Sequence, residues 1–293
     1  MNITKPMIGK ICMVTGANAG IGKSTALVLA KMGATVVMIC RNRERGEAAL
    51  NEIKRVSGND NVSLLLADLS SQNSIRQLVE NFKTQYTALH VLINNAGNIP
   101  MERTITEDGI ETQFAVSHLA YFLLTNLLLD VLKASAPSRI INVASTLHQF
   151  AAISFDDLQS EHSYQPSQVY NRTKLANILF TYELARRLCG TQVTANCLHP
   201  GVTDTKLLSD FVPIPLRFLV KIISSSPEKG AQTSIYLATS PDVENVSGKY
   251  FVKRKAVRSS KASYDETTAH QLWHVSAELT GLSVQDSLFF AHT

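Results

Sequence analysis

Tyr170 and Lys174, in the run "YNRTKLANILFTYELARRL", are four residues apart, so a helix stacks them on one face a turn from each other. A tyrosine with its ordinary pKa of about 10 transfers protons poorly at neutral pH, and a nearby ammonium favours its phenolate. Together they make a usable acid/base, although a single Tyr-x-x-x-Lys pair is also a common coincidence on an amphipathic helix. Two further features point to the same place. The buried-strand pattern "RIINVAS" ends in Ser145, whose hydroxyl emerges at the C-terminal edge of a sheet, and "INNAG", Asn94 to Gly97, closes another strand at that edge.

A third group binds rather than reacts. In "VTGANAGIGKST" a glycine-rich turn joins an apolar strand to a helix, the arrangement that aims backbone N–H groups at a phosphate. A phosphate loop of a nucleotide hydrolase needs a glycine five residues before Gly22, and that position is Ala17. What fits is Gly16-x-x-x-Gly20-x-Gly22, a dinucleotide turn: Gly16 for the tight bend, Gly20 for close approach to the pyrophosphate, Gly22 for helix packing against the strand. Glycines are also ordinary turn residues, so this motif alone leaves a structural reading open.

Positioning these residues requires a sheet with helices between its strands. The strand patterns are "KICMVT", "ATVVMIC", "VSLLLA", "HVLINN", "RIINVAS", "VTANCLH" and "GKYFV". Between them lie helical patterns at 22–31, 43–56, 74–85, 109–133, 168–188 and 228–239, with a closing amphipathic helix in "SYDETTAHQLWHVSAELTGL". Alternation of this kind, with strands too apolar to face water, predicts an α/β fold: a doubly wound parallel sheet of Rossmann type with helices on both faces. At 293 residues and 45% hydrophobic content the chain suits a single domain spanning 1–293. Its one long insertion, about 203–226 and containing "FVPIPLRFLVKII", reads as a lid over a lipophilic substrate or as a core-facing helix.

Composition narrows the partners. A net charge of +4, from 28 basic and 24 acidic residues, gives no footprint for nucleic-acid binding. The basic run "VKRKAVRSSK" reads as a solvated strand edge and loop, with contact to phosphates or anionic lipid as the alternative. The N-terminus has no signal-peptide core, and "HLAYFLLTNLLLDVLK" is broken by polar residues and too short to span a bilayer. Four cysteines in apolar surroundings, with no metal-ligand spacing, read as reduced core residues. The expectation is a cytoplasmic protein without metal, transmembrane segment or nucleic-acid partner, with peripheral membrane contact as the furthest association. The apolar helices 109–133 and 168–188 suggest pairing into a homo-oligomer. His199 in "LHPGV" reads as shaping a turn.

Taken in order, the glycine turn, Asn-Asn-Ala-Gly, the strand-end Ser and Tyr-x-x-x-Lys resemble the short-chain dehydrogenase/reductase family over nearly the whole chain. "ISFDDLQSEHSY", "CLHPGV" and the long gap from Ser145 to Tyr170 resemble its retinol dehydrogenase-like branch. The resemblance implies Tyr170 as proton donor to a carbonyl, Lys174 lowering its pKa and binding the nicotinamide ribose, and Ser145 hydrogen-bonding the substrate oxygen. It also implies a cofactor site of Gly16, Asn18, Gly20, Ile21, Gly22, Arg41, Asp68, Leu69, Asn95, Ala96, Gly97, Tyr170, Lys174, Pro200, Gly201 and Val202, with Asp68 on the adenine edge. One position departs. Where the family has "VNHLG" this chain has "VSHLA", so Ser117 stands for the Asn that holds a relay water, which puts efficient turnover in doubt.

Cofactor choice is legible where the second strand ends in "MICRN": Cys40 takes the place of the carboxylate of NAD enzymes, and Arg41 can pair with a 2′-phosphate. An exposed arginine at a helix start is the plain alternative. The reading is an NADP(H)-dependent oxidoreductase interconverting a lipophilic alcohol and its aldehyde or ketone. A cofactor-sensing, catalytically weak NADP-binding protein on the same scaffold is the alternative, favoured by Ser117 and opposed by Ser145, Tyr170 and Lys174.

Overall fold

The computed structural model describes residues 6–201 and 226–283. Eight strands form one sheet in the order β3-β2-β1-β4-β5-β6-β7-β8. They are β1 (Ile11–Thr15), β2 (Thr35–Cys40), β3 (Val62–Leu66), β4 (Val91–Asn94), β5 (Ser138–Val143), β6 (Val193–His199), β7 (Tyr250–Val252) and β8 (Lys255–Val257). All neighbours are parallel except β7 and β8, which pair antiparallel at the edge. The strands expected from sequence are all present, and β8 falls in the exposed basic run.

The chain winds outward from β1 to β3 and then returns to build β4 to β7 on the other side. The order therefore reverses between β1 and β4, and a crevice opens at their C-terminal ends, the place where doubly wound sheets bind ligands. Helices α1 (Gly20–Lys31), α2 (Arg43–Ser57) and α3 (Gln72–Gln85) connect the first strands. Their limits follow local chemistry. The Asn42 side chain accepts from the Arg45 N–H to start α2, Gly58 at φ +64° ends it, and Ser71 caps α3.

The long helix expected over 109–133 is divided. Glu111, fully buried, accepts from the N–H groups of Gln113 and Phe114 at 2.7 Å each, and so starts the helix at Thr112. After α4 (Thr112–Phe114) comes a π-helical turn, Ala115–Leu119, then α5 (Ala120–Leu127) and α6 (Leu129–Ala134). Tyr170 and Lys174 lie on α7 (Pro166–Arg187), which Pro166 opens, and α8 (Pro227–Thr239) and α9 (Glu266–Leu279) follow.

One core fills each face of the sheet. Phe82, Tyr121, Phe122, Phe180 and Trp273 belong to one, and Leu29, Ile53, Ile93, Leu198 and Phe251 to the other. Trp273 of α9 lies 4.9 Å from Phe122 and 5.7 Å from Phe180, ring centre to ring centre, with the Arg187 guanidinium 4.2 Å over its ring. Trp273 of α9 thus packs against α5 and α7, the helices expected to pair in a homo-oligomer. One correction concerns cysteine. Cys12, Cys40 and Cys197 are buried, but Cys189 is exposed. No helix among the described residues is long and apolar enough to cross a membrane. The insertion expected over 203–226 lies, but for Ser226, outside the described residues, as does Val202.

Candidate active site

The binding end is built by two turns locked together. Thr15 ends β1, and its Oγ1 accepts from the N–H groups of Asn95 and Ala96 at 2.8 and 3.0 Å, while Asn95 Nδ2 returns a 2.8 Å bond to the Thr15 carbonyl. Gly16 (φ +66°) and Gly20 (φ +53°) both take left-handed conformations. A Cβ on Gly22 would sit 2.5 Å from Asn95 Nδ2 and 2.9 Å from the Gly16 carbonyl carbon, so only glycine lets the start of α1 approach so closely. The cleft beside them, about 890 Å³, runs from Arg41 and Asp68 past the glycine turn to Ser145, Tyr170 and Lys174. A cradle closed to any Cβ at the helix N-terminus, opening on an elongated cleft, fits a dinucleotide pyrophosphate. Each described residue of the sequence-derived cofactor set lines this cleft.

At the adenosine end Asp68 holds two partners. Its Oδ1 accepts from the Ser70 N–H and hydroxyl at 2.9 and 2.6 Å, and its Oδ2 stands 3.5 Å from Arg41 Nη1. Burial pushes the carboxyl up, but the Ser70 hydrogen bonds and the Arg41 charge outweigh it, leaving the pKa below the ordinary value.

At the other end Ser145 follows β5 and faces α7. Its Oγ accepts from the Leu147 N–H at 3.2 Å, which leaves the hydroxyl proton to donate. Burial raises the Tyr170 pKa, with the Ser145 hydroxyl pulling it back. The Lys174 ammonium donates to the Val143 carbonyl at 3.1 Å and lies 5.4 and 5.8 Å from the ring centres of Tyr170 and Tyr121. Burial brings this lysine down to about 8. The expected depression of Tyr170 by Lys174 is thus not what dominates: the ammonium faces the ring, and desolvation of the phenol wins. Tyr170 is held protonated at neutral pH.

Ser117 stands behind the cleft wall. Its Oγ accepts from the Asn98 N–H at 3.4 Å, and a Cβ on Gly97 would lie 3.4 Å from it and 3.9 Å from Lys174 Nζ. The π-helical turn that carries Ser117 is a local widening of a kind often found at functional sites. Asn177 Nδ2 donates to the Ser117 carbonyl at 2.8 Å, so its oxygen faces His118 Nδ1, 3.1 Å away. His118 Nε2 in turn meets Ser276 Oγ at 3.1 Å, and burial pushes this imidazole down to about 4.

Sequence reasoning missed Thr15, Tyr121 and His148. Thr15 had a signal, a hydroxyl residue directly before the glycine turn; Tyr121, whose hydroxyl donates to the Ala96 carbonyl at 2.7 Å, sits in an apolar run and had none. His199, expected to shape the turn in "LHPGV", ends β6 and accepts from the Thr146 N–H at 3.3 Å. Among the described residues no group of three or more His, Cys, Asp or Glu is arranged to hold a metal ion.

With this geometry the comparisons agree. A family model for short chain dehydrogenases matches residues 10–213. The chain belongs to the short-chain dehydrogenase family. Human retinol dehydrogenase 14 is 46% identical, over 94% of this chain and 88% of that protein. Human retinol dehydrogenase 12 is 45% identical, over 94% and 87%. The crystal structure of an uncharacterised protein from Mycobacterium paratuberculosis superimposes with a TM-score of 0.78 at 32% identity, covering 94% of this chain and 95% of that one. As a family member the chain is an oxidoreductase that uses a nicotinamide dinucleotide.

Proposed function

We propose that this short-chain dehydrogenase is NADP(H)-dependent and interconverts a lipophilic alcohol and its aldehyde or ketone, with Tyr170 as the acid/base. The observation that carries the reading is the meeting of Ser145, Tyr170 and Lys174 at one end of a cleft whose other end presents Arg41. The glycine turn holds the pyrophosphate, Lys174 the nicotinamide ribose, and Arg41 the 2′-phosphate with no carboxylate at Cys40 to repel it. When bound, the dinucleotide supplies the hydride.

The chain's own groups handle the oxygen. In reduction Tyr170, kept protonated by burial, gives its proton to the carbonyl oxygen, and the Ser145 hydroxyl donates a second hydrogen bond as negative charge develops there. Lys174, positive and desolvated, stabilises the phenolate that remains. Ser117, beside the Gly97 backbone, replaces the longer amide that would hold a relay water, and weakens rather than removes that path.

The lipophilic substrate is supported by the retinol dehydrogenases among the relatives and by Ile99, Val116 and Leu147 in the cleft wall. Measuring kcat/KM for NADPH-dependent reduction of straight-chain aldehydes from butanal to dodecanal tests it. Each buried methylene contributes roughly 0.8 kcal/mol, about fourfold in efficiency, until the cleft is filled. A flat or falling series would contradict the lipophilic substrate.

A further inference from the structure

Two imidazoles meet a single peptide bond in this site. The peptide joining Ser145 to Thr146 has its carbonyl 2.6 Å from His148 Nδ1 and its N–H directed at His199 Nδ1, 3.3 Å away. The two histidines come from different places: His148 from the 3₁₀ turn after Ser145, His199 from the end of β6. Hydrogen-bond logic fixes both tautomers. A backbone N–H can only donate, and the Ser260 N–H points at His148 Nε2 at 3.0 Å. His148 Nε2 is therefore unprotonated, its proton is on Nδ1, and it donates to the Ser145 carbonyl. By the same rule Thr146 leaves His199 Nδ1 unprotonated, so that ring carries its proton on Nε2.

We propose that His148 and His199 are positioning residues that clamp the Ser145–Thr146 peptide from both ends and thereby aim the Ser145 hydroxyl at the reacting oxygen. The proposal rests on the reading of Ser145 given above. A peptide plane held at one end can rock about its neighbours; held at carbonyl and amide together, it fixes ψ of Ser145 and φ of Thr146. Ser145 is extended at φ −156°, ψ 154°, and its Oγ is also tied to the Leu147 N–H, so the only freedom left to it is rotation of its hydroxyl proton. The clamp extends outward. Through Ser260 the His148 ring reaches the segment after β8, and it packs edge-on to Tyr250 of β7, ring centres 5.1 Å apart. The far edge of the sheet thus braces the catalytic turn. His199 also lines the cleft, but in this scheme both imidazoles act on the peptide, and both act neutral: burial lowers each, His199 to about 4, with His148 close by adding to its shift.

The test is a double-mutant cycle against Ser145. His199→Leu removes the acceptor for Thr146, and His199→Asn restores one, since an amide oxygen can replace Nδ1. His199→Leu should lower kcat about 10- to 100-fold, the loss expected from misplacing a reacting group by up to about 1 Å. Dinucleotide affinity should stay within about twofold, and His199→Asn should recover most of the rate. In a Ser145→Ala background His199→Leu should cost no more than about twofold further. An undiminished loss in that background would overturn the clamp while leaving Ser145 catalytic; a silent Ser145→Ala would overturn both. Long-range ¹⁵N–¹H spectra of histidine-labelled wild-type protein give a reading that needs no variant. They should show His148 protonated on Nδ1 and His199 on Nε2, and the opposite tautomer at either ring would overturn the proposal.

Discussion

Replacing Gly22 by alanine probes the binding turn at its tightest point. The added methyl would lie 2.5 Å from Asn95 Nδ2 and 2.9 Å from the Gly16 carbonyl carbon, well inside contact distance, and neither neighbour is free to yield. Asn95 is held by its 2.8 Å bond to the Thr15 carbonyl, and Gly16 by its N–H bond to the Ile39 carbonyl at 2.8 Å. Relief requires the start of α1 to move outward by roughly 0.5–1 Å, an overpacking cost of about 1–3 kcal/mol. The same movement takes one or two N–H donors away from the pyrophosphate. Hydrogen bonds to a charged group contribute about 1.5–3 kcal/mol each, so dinucleotide affinity should fall about 10- to 100-fold or more. Titration calorimetry with NADPH, beside urea unfolding, measures both effects. Gly58→Ala at the end of α2, with open space around its Cβ and φ +64°, is the control: it should cost stability through backbone strain and leave affinity unchanged. Wild-type affinity in Gly22→Ala would refute the assignment of this turn to the pyrophosphate.

Arg41→Asp should weaken NADPH about tenfold and shift preference toward NADH. The low end of the range for a charged hydrogen bond applies because the Arg41 side chain is 74% exposed; an unchanged ratio of affinities would move the phosphate elsewhere. His118 should make stability fall with acid. Its folded pKa of about 4 lies below the ordinary 6.5, so its contribution is complete above pH 6.5 and is lost as pH falls toward 4. Between pH 7 and pH 5 this amounts to about 2 kcal/mol. Urea unfolding of His118→Gln at those two values should show a shallower decline than wild type by about that amount, and equal declines would show that the imidazole does not remain neutral in the fold.

The sheet was legible because its strands are apolar runs with little other use, and because Ser145 sits at a strand end and Tyr170 and Lys174 on a helix with clear periodicity. Tyr170 and Lys174 could be placed together from their spacing alone, and Ser145 from the strand before it. What resisted was chemistry set by contact between distant segments. Nothing in "VSHLA" announces a π-helical turn, and nothing in the tail shows that Trp273 packs on Phe122 of α5 and Phe180 of α7. Both depend on what packs opposite. The state of Tyr170 is the same kind of miss: spacing shows that Lys174 is near, but only the fold shows that burial outweighs its charge. His148 and His199, 51 positions apart in sequence, meet at one peptide only once β6 lies beside β5.

The central claim is that a buried, protonated Tyr170 supplies the proton in an NADPH-dependent carbonyl reduction. Following NADPH consumption with purified wild-type protein and Tyr170→Phe, using retinal and a long-chain aldehyde, tests it directly. The account predicts turnover by the wild type and a loss of about 100-fold or more in kcat for the variant, with NADPH affinity within about twofold because the ring and its packing are kept. A wild type that binds NADPH yet reduces neither carbonyl, or a Tyr170→Phe variant with near-normal kcat, would contradict it.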